Sequence, residues 1–104
     1  MQTITALELK KRLDAGDRPF VLDVREQFEY DICNIGAKLI PLNALPARIG
    51  ELDPNQEIIV HCKMGGRSAK AVDFLAEHGF KHVKNMTGGI NAWRNDVDSS
   101  LAEY

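Results

Sequence analysis

The chain has 104 residues, a formal charge of −2, 44% apolar residues and 27% charged residues. This is enough for one domain with one core, it excludes a disordered chain, and no apolar run approaches the ~20 residues of a membrane-spanning helix. Lys and Arg are scattered rather than clustered, which argues against a nucleic-acid partner. Met1–Thr5 lacks the basic start and apolar stretch of a secretory signal, so a cytoplasmic protein is predicted.

In chain order, Thr5-Ala6-Leu7-Glu8 matches a capping box, and Leu7, Leu9 and Leu13 predict a helix over 6–15 that stops at Gly16. Phe20-Val21-Leu22, after Pro19, reads as a buried strand ending at Asp23. Residues 25–31 are polar and predict a short helical turn. Lys38–Ile40 reads as a second short strand before Pro41. Asn43 is placed to cap a helix over 44–49, with Pro46 in its first turn. Asp53-Pro54-Asn55 is a turn. Glu57–His61 is the strongest strand, with three consecutive β-branched residues.

Gly65-Gly66 interrupts the chain directly after that strand. Residues 68–78 have helical spacing and end at Gly79. A strand around Val83 and a last helix over 90–95 follow, behind Gly88-Gly89. The tail from Asp96 is polar and is expected to fray. The whole chain, 1–104, reads as a single domain. Short apolar strands alternating with helices predict an α/β fold, a parallel sheet covered on both faces. Ligands bind such sheets beyond the C-terminal strand ends, which is where Asp23-Val24-Arg25 and Cys62–Ser68 fall.

The second of these segments carries the chemistry. Five residues link Cys62 to the predicted helix start at Ser68, and Gly65 and Gly66 permit the tight curl this needs. A curled loop turns backbone N–H groups inward as an anion nest, and the following helix adds its positive end. Lys63 and Arg67 add full charges. Such surroundings lower a thiol pKa from ~8.5 into the range ~3.5–7.5, so Cys62 is predicted to be a thiolate that attacks sulfane sulfur and holds it as a persulfide. This chemistry needs no metal and no organic cofactor. Cys33 and Cys62, the two cysteines, have no metal-ligand spacing and are too few for a disulfide framework. A plain buried thiol is the expectation for Cys33, with a resolving role as the alternative.

The six residues Cys62–Arg67 resemble the active-site loop of the rhodanese family. Asp23-Val24-Arg25 with Glu29-Tyr30, Gly36-Ala37 and Ile40-Pro41 is similar to the family's first signature, and Gly88-Gly89-Ile90-Asn91-Ala92-Trp93 to its last. Cys33-Asn34-Ile35 departs from the usual Gly-His-Ile, so a different turn is expected there. The resemblance implies a mostly parallel five-stranded sheet with helices on both faces. It also implies Cys62 as persulfide carrier, with Lys63, Met64, Gly65, Gly66, Arg67 and Ser68 as its cradle. Asp23, Arg25 and Glu29 then serve as structural support, with Arg25 pairing to Glu29. The loop most resembles rhodanese domains fused to adenylylating enzymes of molybdopterin, thiamine or thiolated-tRNA synthesis. That implies thiosulfate or a cysteine desulfurase as sulfur donor, and a sulfur-carrier protein and its adenylylating enzyme as partners.

Within the loop, Arg67 is open to two roles, binding a substrate anion or ordering the backbone. Lys63 reads as a solvated charge, Met64 as an exposed lip, and Ser68 as the helix cap. His61 should point to the sheet face opposite Cys62, which discounts it as a base. Trp93 reads as core. Two other functions compete. A Cys-based phosphatase or arsenate reductase uses the same logic with a wider loop, whereas only four residues separate Cys62 from Arg67 here. A non-catalytic interaction module would not require the Cys.

Overall fold

In the computed structural model, which describes residues 1–104, strands and helices alternate along the chain: β1 (Thr3–Ile4), α1 (Ala6–Asp14), β2 (Phe20–Asp23), α2 (Gln27–Ile32), β3 (Lys38–Leu39), α3 (Leu45–Arg48), β4 (Ile58–His61), α4 (Gly66–Glu77), β5 (Val83–Met86) and α5 (Gly89–Asp96). The five strands form one sheet in the order β1-β5-β4-β2-β3. Every neighbouring pair is parallel. From β2 the chain moves outward to β3 on one side, and from β4 outward to β5 on the other. The winding therefore reverses between β2 and β4, and beyond their C-terminal ends lies the position where open parallel sheets bind ligands.

Alternation along β4 divides the core between the two faces of the sheet. Ile58, Val60 and then Cys62 join Leu22, Val24, Leu45, Val72 and Leu75 on the face covered by α3 and α4. Ile59 points the other way, into a smaller cluster with Leu9, Met86 and Trp93 under α1 and α5. The period of two thus sends the Cys62 side chain to the α4 face and His61 to the opposite one, as the strand reading requires.

The α1 capping box is formed. Glu8 N–H donates to Thr5 Oγ1 at 3.1 Å, and Thr5 N–H donates to Glu8 Oε1 at 2.9 Å. The predicted helix over 44–49 is corrected. It is a 3₁₀ turn (Leu42–Ala44), the single α-turn of α3, and a second 3₁₀ turn (Ile49–Glu51), with no side-chain cap from Asn43. The departure at residues 33–37 is carried by Asn34. Its Oδ1 accepts from Gly36 N–H at 3.0 Å, and its amide nitrogen donates to the Tyr30 carbonyl at 3.2 Å. The tail is corrected too. Leu101 packs on the smaller cluster, Arg94 pairs with Glu103 at 2.8 Å, and Tyr104 folds back onto the far end of the sheet. No helix is long and apolar enough to cross a membrane.

Leu7 and Leu9, equivalent in the sequence pattern, separate by burial, at 50% and 0% exposed. Leu9→Ala is expected to cost about 2–5 kcal/mol in urea unfolding, and Leu7→Ala less than about 0.5 kcal/mol.

Candidate active site

At the end of β4 the chain turns through Cys62–Gly65 into α4. Gly65, the N-cap residue of α4, has φ +116°, which a side chain would strain, and it supplies no side-chain cap. The first N–H groups of α4 therefore lack the usual oxygen acceptor. They turn to sulfur instead. Gly65 N–H donates to Cys62 Sγ at 3.1 Å and Ser68 N–H at 3.4 Å, while the Ser68 hydroxyl oxygen lies 3.3 Å from the sulfur. Burial, with Cys62 only 2% exposed, is the largest influence on the thiol and raises its pKa. The polar groups around the sulfur, the Ser68 hydroxyl first and then the N–H groups of Ser68, Gly65 and Met64, together outweigh it and hold the thiol below its ordinary value.

The loop is locked from behind by α5. Ile90 N–H donates to the Cys62 carbonyl at 2.9 Å and Asn91 N–H to the Lys63 carbonyl at 3.1 Å. These are the otherwise free N–H groups of the α5 N-terminus. Gly89, at φ +59°, permits the approach, because a Cβ there would lie 2.5 Å from the Lys63 carbonyl oxygen. The closing Gly-Gly signature thus fixes the loop backbone.

The cationic side chains around the loop find partners within the protein. Arg67 does not face the sulfur with a free guanidinium. Its Nη1 and Nη2 donate to the two carboxylate oxygens of Glu29 at 2.6 and 2.9 Å. Lys63 Nζ lies 4.4 Å from the centre of the Tyr104 ring. Arg25, fully buried, pairs with Asp23 through Nε and Nη2 rather than with the Glu29 carboxylate, and reaches Glu29 only at its backbone carbonyl. Asp23 is the last residue of β2, and its carboxylate also accepts Arg25 N–H at 3.0 Å. Arg25 Nη2 further donates to the Cys33 carbonyl at 2.8 Å. Both cysteines are free thiols.

Ser68 is corrected from cap to interior residue. Because α4 begins at Gly66, Ser68 is its third residue, and its hydroxyl donates to Asn85 Oδ1 at 2.6 Å. Met64 is the most exposed large apolar side chain, at 70%. His61 is fully buried, its Nδ1 lies 3.3 Å from the Cys62 carbonyl oxygen and its Nε2 has no hydrogen-bond partner. Burial depresses the His61 pKa. The ring is therefore held neutral and away from the sulfur.

Asn85 and Tyr104 were not visible as site residues in the sequence. Asn85 is a polar residue on a buried strand, which is the one signal that could have marked it. Tyr104 donates its hydroxyl proton to Glu29 Oε2 at 2.7 Å and accepts from Arg25 Nη1 at 2.9 Å. Burial first, and Glu29 second among the raising influences, push the phenol up to about 12, so it stays a donor.

A profile of the rhodanese-like domain matches residues 5–96. The chain is 36% identical over 109 residues to the adenylyltransferase and sulfurtransferase MOCS3-2 of Zea mays, covering 97% of this chain and 23% of that protein. It is 39% identical over 93 residues to the chloroplastic rhodanese-like/PpiC domain-containing protein 12 of Arabidopsis thaliana, covering 85% of this chain and 31% of that protein. A rhodanese-like domain protein from Staphylococcus aureus superposes with a TM-score of 0.87 at 33% identity, covering 100% of this chain and 99% of that one. The chain belongs to the rhodanese-like domain family, and it spans 23% and 31% of the length of these two curated relatives.

Two expectations follow from the geometry. Gly89→Ala places a methyl group against the Cys62–Lys63 backbone at positive φ, and should cost about 2–5 kcal/mol in chemical denaturation. The second concerns acid. Hydrogen bonds from Arg67 foremost hold the Glu29 carboxyl down at about 2 against an ordinary value of 4.5. A depressed carboxylate stabilises the fold above its unfolded value, and that contribution is lost as pH falls through the folded one. The stability difference between wild type and Glu29→Gln should therefore shrink between pH 4.5 and about 2, read as urea midpoints at stepped pH.

Proposed function

We propose that this rhodanese-like domain is a sulfurtransferase that carries sulfane sulfur as a persulfide on Cys62. The observation that carries the reading is the convergence of helix N–H groups on Cys62 Sγ with no side-chain cap in competition. A pre-formed thiolate needs no general base, and His61, buried on the sheet face opposite the sulfur, is not available as one. The thiolate attacks the outer sulfur of thiosulfate, the sulfur–sulfur bond of the donor breaks, and sulfite leaves with the electron pair. The product is Cys62–S–S⁻. A thiophilic acceptor then attacks the terminal sulfur and the Cys62 thiolate returns. With cyanide the product is thiocyanate.

The fate of Arg67 supports a sulfur rather than an oxyanion cargo. A phosphatase-type loop presents its Arg as a bidentate fork to the substrate, and here both arms of that fork are taken by Glu29. The likeness to MOCS3-2, named an adenylyltransferase and sulfurtransferase, supports a carrier protein activated as an acyl-adenylate for the acceptor, with thiocarboxylate as product. A cysteine desulfurase or thiosulfate supplies the sulfur.

Incubation with thiosulfate should add one sulfur atom to the wild type by intact mass and none to Cys62→Ser, and cyanide should remove it as thiocyanate. If the wild type gains nothing either from thiosulfate or from a desulfurase with cysteine, the sulfur-carrier reading is wrong.

A further inference from the structure

The Ser68 hydroxyl has one hydrogen and two neighbours that could take it. Cys62 Sγ is 3.3 Å away and Asn85 Oδ1 is 2.6 Å away. The orientation of the Asn85 amide is fixed from its other end, where Nδ2 donates to the Gly65 carbonyl at 3.2 Å. A flipped amide would set oxygen against oxygen at Gly65. Oδ1 therefore faces Ser68, and since it can only accept, it holds the hydroxyl hydrogen. The side of Ser68 Oγ turned to the sulfur then carries lone pairs. Those can accept a thiol S–H but repel a thiolate.

We propose that Asn85 is a positioning residue that tunes the basicity of the Cys62 nucleophile by competing with it for the single hydroxyl hydrogen of Ser68. When Cys62 is a thiol, the hydrogens run in one direction, from sulfur to Ser68 to Asn85. When it is a thiolate, either the hydroxyl turns to the sulfur and Asn85 Oδ1 loses its donor, or the hydroxyl stays and the thiolate faces lone pairs. Both outcomes make the thiolate more basic than it would be beside a Ser68 hydroxyl with no competing acceptor. A more basic thiolate is also a stronger nucleophile, so Asn85 trades some ionised fraction for reactivity.

The charged and titratable groups around the loop are otherwise occupied. His61 on β4 hydrogen-bonds only the Cys62 carbonyl, with Asp23 Oδ2 3.7 Å from its Nε2. On the α2 and α4 side, Glu29 and Arg67 are paired to each other. After β2, Arg25 is paired to Asp23. Tyr104 bonds Glu29 and Arg25, and Lys63 lies over its ring. Lys84 on β5 pairs with Glu57, and Arg94 on α5 with Glu103. Ser68 is the one side chain in hydrogen-bond contact with the sulfur, so the hydrogen it carries decides the side-chain contribution.

This deepens the sulfur-transfer reading by naming what sets its nucleophile, but the test needs no sulfur donor, so the two can fail separately. The pH dependence of Cys62 alkylation by iodoacetamide, read by peptide mass to exclude Cys33, is compared for Asn85→Ala in two backgrounds, wild type and Ser68→Ala. In the wild-type background the midpoint should fall, with roughly threefold to tenfold more thiolate below the midpoint, the effect of one hydrogen bond regained. The limiting rate constant at high pH should fall roughly twofold. In the Ser68→Ala background that downward shift should vanish, because Asn85 acts through Ser68. If Asn85→Ala merely loosens Gly65, the midpoint moves equally in both backgrounds. Equal shifts, in either direction, overturn the proposal.

Discussion

A helix that starts without a side-chain cap leaves N–H groups to be satisfied, and in this fold the sulfur of Cys62 satisfies them. Much of the site is arranged around that contact. Gly65 takes the left-handed backbone that brings its own N–H to the sulfur, and Gly89 lets a second helix N-terminus hold the Cys62 and Lys63 carbonyls from behind. Two helix ends thus bracket one short loop. One aims its donors at the sulfur, and the other fixes the backbone from which the sulfur projects. Because both sets of donors are backbone groups, the field at Cys62 is set by the fold and not by mobile side chains.

The full charges are used to frame the loop. Arg25 and Asp23 are both completely buried, and a buried ion pair is tolerated only when its remaining hydrogen-bonding groups are met. Arg25 meets them through the Cys33 and Glu29 carbonyls and the Tyr104 hydroxyl. Glu29 in turn accepts from Arg67, Tyr104 and the Glu26 N–H. The result is a continuous chain of charge-assisted bonds from the end of β2, through α2 and the C-terminal residue, to the second residue of α4. Arg67 therefore contributes to the sulfur only through space, while its directional bonds order the start of α4.

What the sequence made legible was local. The Thr5–Glu8 capping box, the β-branched run before Cys62 and the glycine pair after it each specify their own conformation within a few residues, and all three form. The period of two in β4 correctly separated Cys62 from His61. What stayed hidden was made by tertiary approach. Asn85 meets Ser68 across 17 positions and Tyr104 meets Glu29 across 75, and no periodicity encodes either. The family resemblance implies an Arg25–Glu29 pairing, but Arg25 precedes α2 and its side chain turns back along the strand to Asp23. Ser68 departs from the cap expected of it for a related reason. A sequence rule looks for an oxygen at the helix start, and here the sulfur of Cys62, three residues before the N-cap Gly65, takes that place.

On the proposed function, a carrier of sulfur has to release its cargo as readily as it accepts it, and the donor arrangement bears on both steps. In the free thiolate the charge sits on Sγ, where the N–H groups of Gly65 and Ser68 point. In a persulfide the charge moves outward to the terminal sulfur, and bonds aimed at Sγ do not follow it. The positive end of α4 acts over a longer range, about one helical turn, and so favours both states. Directional bonds that stabilise the empty thiolate thus oppose loading, while the helix field offsets the loss. The competition of Asn85 for the Ser68 hydrogen acts on the same balance. It weakens the hold on the empty thiolate and leaves a loaded Sγ, which carries no charge, almost untouched. Cations bound tightly to the terminal sulfur would tip the balance toward retention, and in this structure Arg67 is withheld from that role by Glu29.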